Sequence, residues 1–209
     1  MVQRNPSHFI KTFLVPLYVC LSILFLYFLQ SNGIIKDYWL AVFPRKVEFL
    51  HGIITSPLVH GDVSHLIGNL SVLGPLLALL YYSHKRFATQ VLISLWITTG
   101  LLVWLFARPS HHIGASGVVY AVQVYILVSG MLKRRPWLMA IGAVSIMLFG
   151  GGFVFGLLPL TPGVSWESHG LGAIAGLIFA FVYRNKYPYP IPKRSKYKTV
   201  DEYQQFGIK

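Results

Sequence analysis

Six apolar stretches dominate this sequence, at residues 9–30, 58–82, 87–107, 116–132, 137–158 and 167–183. A helix crossing a bilayer needs about 20 apolar residues, because the hydrocarbon core is about 30 Å thick and each residue advances the helix by about 1.5 Å. In lipid, every backbone N–H and C=O must be satisfied within the segment or by a closed sheet, so runs of this length are read as helices. The expected fold is an all-α membrane protein with a bundle of six transmembrane helices. Its fourth and sixth helices are short and glycine-rich, which suits central positions shielded by neighbours. Composition agrees: 55% of the residues are hydrophobic and 11% charged, whereas soluble domains carry about 25% charged residues. The first stretch occupies the place of a secretory signal. It is long, however, and the Gln30-Ser31-Asn32-Gly33 that ends it does not look like an A-x-A cleavage site, so a retained helix is expected. The sole cysteine, Cys20, lies inside this stretch. It is expected to be a small core or lipid-facing residue.

The net charge of +12 invites a nucleic-acid reading, but the distribution of the charge speaks against one. The two ends of the chain and the loops after the second and fourth stretches hold Arg4, Lys11, Lys85, Arg86, Lys133, Arg134 and Arg135, and the tail adds seven more basic residues. The opposite loops hold only Lys36, Arg45, Lys46 and Arg108. Basic residues accumulate on the cytoplasmic side of membrane proteins, so both termini are expected to be cytoplasmic. The charge is therefore topological, with some contact to lipid headgroups from the tail, and no nucleic-acid partner is expected. The chain is expected to form one polytopic domain over residues 1–184, followed by a basic, flexible cytoplasmic tail over 185–209. Between the first two stretches, residues 31–57 mix Tyr38, Trp39, Phe43 and Phe49 with a few charges, as a loop in the membrane interface does.

Polar side chains inside such helices are costly and mark functional positions by default. Three groups fall near the non-cytoplasmic ends. In HGDVSHLIGN, His65 and Asn69 are four residues apart and share one helix face, with Asp62 or Ser64 able to cap the helix start. Alone, this pair serves equally as hydrogen-bonding glue between helices. In HHIGASGVVY, Ser116 stands at the expected start of the fourth helix, where unpaired N–H groups and the helix dipole favour developing negative charge. Gly114 and Gly117 allow a bend and a close approach, although small residues at 117 and 121 are also what a tight helix crossing needs. In SWESHGLGAIAG, His169 is followed by Gly172 and Gly176 on nearly the same face, a surface that can press against another small-residue helix. A serine hydroxyl needs a base at neutral pH. Glu167 lies on another face of its helix and Asp62 on another helix, so a Ser116–His169 dyad is the economical reading, with His65 and Asn69 as oxyanion donors.

Together, H-x-x-x-N on the second helix, G-x-S-G at the start of the fourth and H-x-x-G-x-x-x-G on the sixth resemble the rhomboid intramembrane serine proteases over residues of about 50 to 183. The resemblance implies a rhomboid-type bundle in which Ser116 is the nucleophile and His169 the base. It gives His65 and Asn69 to the oxyanion hole, with Gly114 and Gly117 supporting the serine turn. Tyr120 then packs against the catalytic histidine, and His60 is structural. It implies a cofactor-free serine endopeptidase acting on transmembrane segments of other proteins. The site would open on the non-cytoplasmic side of the lipid bilayer, in the cell (inner) membrane. The first loop departs from the family's E-x-W-R spacing, holding Trp39 and Arg45 at another interval. The alternative is a catalytically inactive rhomboid-like scaffold or chaperone that binds transmembrane helices. No metal is expected, since H-E-x-x-H is absent and the adjacent His111 and His112 point apart, as interfacial loop residues.

Overall fold

The computed structural model describes residues 6–84, 87–148, 155–160 and 164–186. The tail beyond Lys186 lies outside them. Six long helices organise the described chain: α1 (Pro6–Ser31), α2 (Val63–His84), α3 (Ala88–Phe106), α4 (Ser116–Leu132), α5 (Pro136–Leu148) and α6 (Trp166–Val182). No strand forms among the described residues, and a single isolated bridge joins Val42 and His112. Three helical stretches, Thr12–Ser31, Val63–His84 and Ala88–Phe106, are long and apolar enough to cross a membrane, while α4, α5 and α6 are shorter apolar helices.

Burial separates the helices by role. In α4, residues Gly117 through Gln123 are buried without a break, the mark of a helix enclosed on all sides. It packs against α2, α3, α5 and most extensively α6. At the other extreme, α1 packs on α2 through residues such as Ile23 and leaves Phe13, Leu17, Leu21, Phe25 and Phe28 exposed. An exposed apolar surface of this extent is stable only in lipid. The protein is an integral membrane protein.

The α4–α6 contact rests on small residues. A Cβ added to Gly172 would fall on the carbonyl of Gly117, and one added to Gly176 on the carbonyl of Ala121. Only glycine lets the two backbones touch there, and this contact sets α6 beside the start of α4.

Residues between α1 and α2 are folded rather than loose. Two single-turn helices, Asp37–Leu40 and Gly52–Thr55, alternate with 3-10 turns at Val47–Phe49 and Ser56–Leu58. Arg45, with φ of 61°, donates to the carbonyls of Leu105 and Ala107 at 3.2 and 2.9 Å. Its own N–H binds Trp104 O at 2.9 Å, and the Trp104 indole donates to Lys46 O at 3.0 Å. The segment thus closes off the carbonyl end of α3, which a helix leaves without partners of its own.

One expected boundary moves. The second apolar run opens at 58, but α2 begins at Val63, because Asp62 Oδ1 accepts from the Ser64 hydroxyl at 2.7 Å and from His65 N–H at 2.8 Å, and so caps the helix. The fifth apolar run extends to 158; residues 149–154 lie outside those described, and 155–156 are helical ahead of a turn at 157–160.

Candidate active site

The start of α4 is built unlike that of α6. Its N-cap is Ala115, which offers no side-chain acceptor, so the first-turn N–H groups beside Ser116 receive no cap. Ahead of it Gly114 adopts φ of 100°, a left-handed conformation that strains any residue with a Cβ, and its N–H binds Ser56 O at 2.9 Å. In α6 the N-cap is Ser165, whose hydroxyl oxygen accepts from Ser168 N–H.

Across the α4–α6 contact, Ser116 Oγ lies 2.7 Å from His169 Nε2. On the other side of the ring, His169 Nδ1 is 2.7 Å from the carbonyl oxygen of Gly156. A carbonyl only accepts, so Nδ1 carries the proton of the neutral imidazole and Nε2 presents its lone pair to the serine O–H. The Tyr120 ring stacks on the imidazole with centroids 4.4 Å apart and planes 6° from parallel. Position, tautomer and tilt of the histidine are therefore held by three separate contacts. Sequence reasoning expected a dyad without a third member and had no means of finding Gly156, since its contribution is a backbone carbonyl.

His65 and Asn69 both reach Gly114. A Cβ added there would lie 2.5 Å from His65 Cε1 and Nε2 and 3.5 Å from Asn69 Nδ2. The Asn69 amide nitrogen is buried and has no hydrogen-bond partner among the described residues. An unpaired buried donor costs about 1–3 kcal/mol, so its persistence calls for a reason. His60 stands behind this pair, its ring 4.9 Å from that of His65, with Ala115 N–H 3.5 Å from His60 Nε2. Sequence reasoning missed the Gln30 link from α1, which donates to His60 O at 3.2 Å and accepts from His60 N–H at 3.4 Å.

The remaining charged and imidazole groups do other work. Glu167 pairs with Arg108 at 3.4 Å. The two neighbouring histidines part company, as expected, but only His111 is a surface loop residue, edge-on to Phe43, Phe49 and Tyr38. His112 is buried, at 3% exposure, and hydrogen-bonded through both ring nitrogens. That differs from the interfacial role expected for it, because the bridge to Val42 turns its side chain inward. Among the described residues no group of three or more His, Cys, Asp or Glu is arranged to hold a metal ion.

A family model described as the Rhomboid domain matches residues 47–186. An uncharacterized protein of Mycobacterium bovis and one of Mycobacterium tuberculosis are each 36% identical to this chain over 151 residues, covering 66% of it and 61% of the relative. One from Mycobacterium leprae is 34% identical over 149 residues, covering 66% of this chain and 57% of the relative. The chain spans less than two thirds of the length of these relatives. The helical fold that brings α6 against α4 and the family match over most of the chain lead to one assignment: this protein belongs to the rhomboid family.

Proposed function

We propose that the protein is an intramembrane serine endopeptidase that cleaves transmembrane segments of other membrane proteins with a Ser116–His169 dyad. The observation that carries this reading is the 2.7 Å contact between Ser116 Oγ and a His169 Nε2 whose partner nitrogen is engaged by the Gly156 carbonyl. In the first step His169 Nε2 takes the Ser116 proton while Oγ bonds to the scissile carbonyl carbon. The carbonyl oxygen becomes an oxyanion, met by the uncapped N–H groups at the start of α4, by Asn69 Nδ2 and by His65. The intermediate collapses as the amine leaves with the proton from His169. Water then loses a proton to His169 and attacks the acyl carbon; as the acyl C–Oγ bond breaks, His169 returns that proton to Ser116 Oγ, which frees the acid product and restores the serine. No cofactor enters this sequence.

The substrate helix must unwind locally, because a hydrogen-bonded helical carbonyl is shielded from attack, so small and helix-weakening residues favour cleavage. Six helices cross the bilayer in this reading, with both termini cytoplasmic and the dyad toward the non-cytoplasmic face of the cell membrane. The basic tail over 185–209 extends into the cytoplasm beyond the 1–184 membrane domain.

The test is labelling of the purified chain in a membrane mimic by a serine-directed fluorophosphonate, alongside cleavage of a reporter membrane protein. Wild type should label and cleave; Ser116→Ala and His169→Ala should do neither. A wild-type chain that binds the reporter helix yet neither labels nor cleaves it is a scaffold, and the reading fails.

A further inference from the structure

His112 lies in the turn between α3 and α4, outside the dyad and the oxyanion donors, and joins that turn to the start of α6. His112 Nε2 is 3.0 Å from Arg108 O, and Nδ1 is 2.5 Å from Ser165 Oγ. Ser165 Oγ in turn is 2.6 Å from Ser168 Oγ and accepts from Ser168 N–H at 3.4 Å. The carbonyl at one end fixes every direction in the chain. Nε2–H donates to Arg108 O, so the neutral ring accepts at Nδ1 from the Ser165 hydroxyl. Ser165 oxygen is then left to accept from Ser168, through its hydroxyl and its N–H.

These contacts are continuous with the reactive pair. Ser168 precedes His169, and a Cβ on Gly117 would lie 3.0 Å from Ser168 O, so the first turn of α6 rests on the residue after Ser116. Behind His112, its backbone exchanges hydrogen bonds with Val42 at 3.1 and 2.9 Å. The ring is thus held from the loop between α1 and α2 while its side chain grips α6.

We propose that His112 is a positioning residue which, as the neutral imidazole bonded to Arg108 O and Ser165 Oγ, locks the Ser165 cap of α6 and thereby holds His169 on Ser116. The proposal rests on the dyad reading above. Burial pushes the His112 imidazole below its ordinary value, opposed by the hydrogen bond to Arg108 O. The charged and titratable groups acting on it are Arg108 and His111 from its own turn and Glu167 from α6. Arg108 and Glu167 pair with each other and offset one another at the ring. The neutral form therefore prevails at neutral pH.

The experiment follows the fluorophosphonate labelling rate of Ser116 in the full chain at neutral pH. Wild type, His112→Asn, His112→Phe, Ser165→Ala and the His112→Phe/Ser165→Ala pair are compared, with thermal unfolding recorded for each. In His112→Asn the side-chain amide oxygen can still accept from Ser165. This variant therefore keeps a rate near wild type. His112→Phe and Ser165→Ala each slow labelling by roughly tenfold, about the worth of one capping contact. Because they break the same link, the pair is no slower than either alone. A loss in His112→Asn as large as that in His112→Phe, or multiplying losses in the pair among variants that unfold at wild-type temperature, overturns the positioning role and leaves the dyad intact. Wild type that never labels overturns the dyad and the positioning role together.

Discussion

Ser116 and His169 stay 2.7 Å apart because residues without reactive side chains leave room for them. Gly156 is the clearest case. A Cβ there would fall on the Tyr120 hydroxyl and lie 2.9 Å from His169 Nδ1. Gly156→Ala should therefore displace both the stacked tyrosine and the carbonyl that fixes the imidazole tautomer. We expect its labelling and cleavage to fall at least about tenfold, a loss set by misplacement of the base rather than by its absence. A labelling assay at wild-type rate would show that the Gly156 carbonyl is dispensable. Asn69→Ala belongs with it. Removing one oxyanion donor costs about 10²–10³ in turnover, while the buried amide it deletes has no hydrogen-bond partner among the described residues to lose. Its thermal unfolding should therefore stay near wild type as cleavage collapses, a split that a purely structural asparagine would not give. That Ser116 meets His169, and that His65 and Asn69 share one face, was legible in the sequence because side-chain spacing survives into the fold. The Gly156 carbonyl, the Gln30 link and the Ser165 cap were not legible. Every residue carries a carbonyl, and nothing in a side-chain pattern says which one will face a ring.

Glycine has opposite effects on different helices, and the α4–α6 contact shows why. Gly172 meets the Gly117 carbonyl directly, whereas Gly68 on α2 has nothing within 4 Å of where its Cβ would be. The same substitution should therefore change sign. Gly172→Ala forces α6 away from α4 and should destabilise the protein by about 1–3 kcal/mol, as overpacking does, lowering the labelling rate in step. Gly68→Ala fills open space and removes backbone freedom from the unfolded chain, so it should stabilise by about 0.5–1 kcal/mol. Thermal unfolding of the two variants against wild type checks both signs; equal shifts in one direction would refute the packing argument. This contact was readable in advance, since Gly172 and Gly176 lie three and seven residues after His169 on nearly one face. The start of α2 was not. Its apolar run opens at 58 while the helix begins at Val63, and hydropathy reports lipid compatibility rather than backbone direction.

At the scale of the molecule, the position of Ser116 along α4 and the charge pattern together predict an orientation. α4 spans 17 residues from Ser116 to Leu132, about 25 Å at 1.5 Å per residue. Ser116 and Arg134 therefore lie near opposite ends of the bundle. Arg45 is fastened to the end of α3 and His112 to Val42, so the loop between α1 and α2 covers the Ser116 end. The basic turn Lys133–Arg134–Arg135 follows α4 at the other end, and basic residues favour the cytoplasm. Single cysteines in a Cys20→Ser background separate the two possible orientations. Val47 is 68% exposed in the covering loop. In intact cells a membrane-impermeant maleimide should modify Val47→Cys at once and reach Arg134→Cys only after the membrane is opened. The reverse pattern would put the dyad toward the cytoplasm and remove the basis for cleavage near the outer face. Both variants are first checked for fluorophosphonate labelling of Ser116, so that the accessibility measured belongs to the folded bundle. With the orientation expected here, water reaches His169 from outside the cell membrane, and the α1–α2 loop lies over its route.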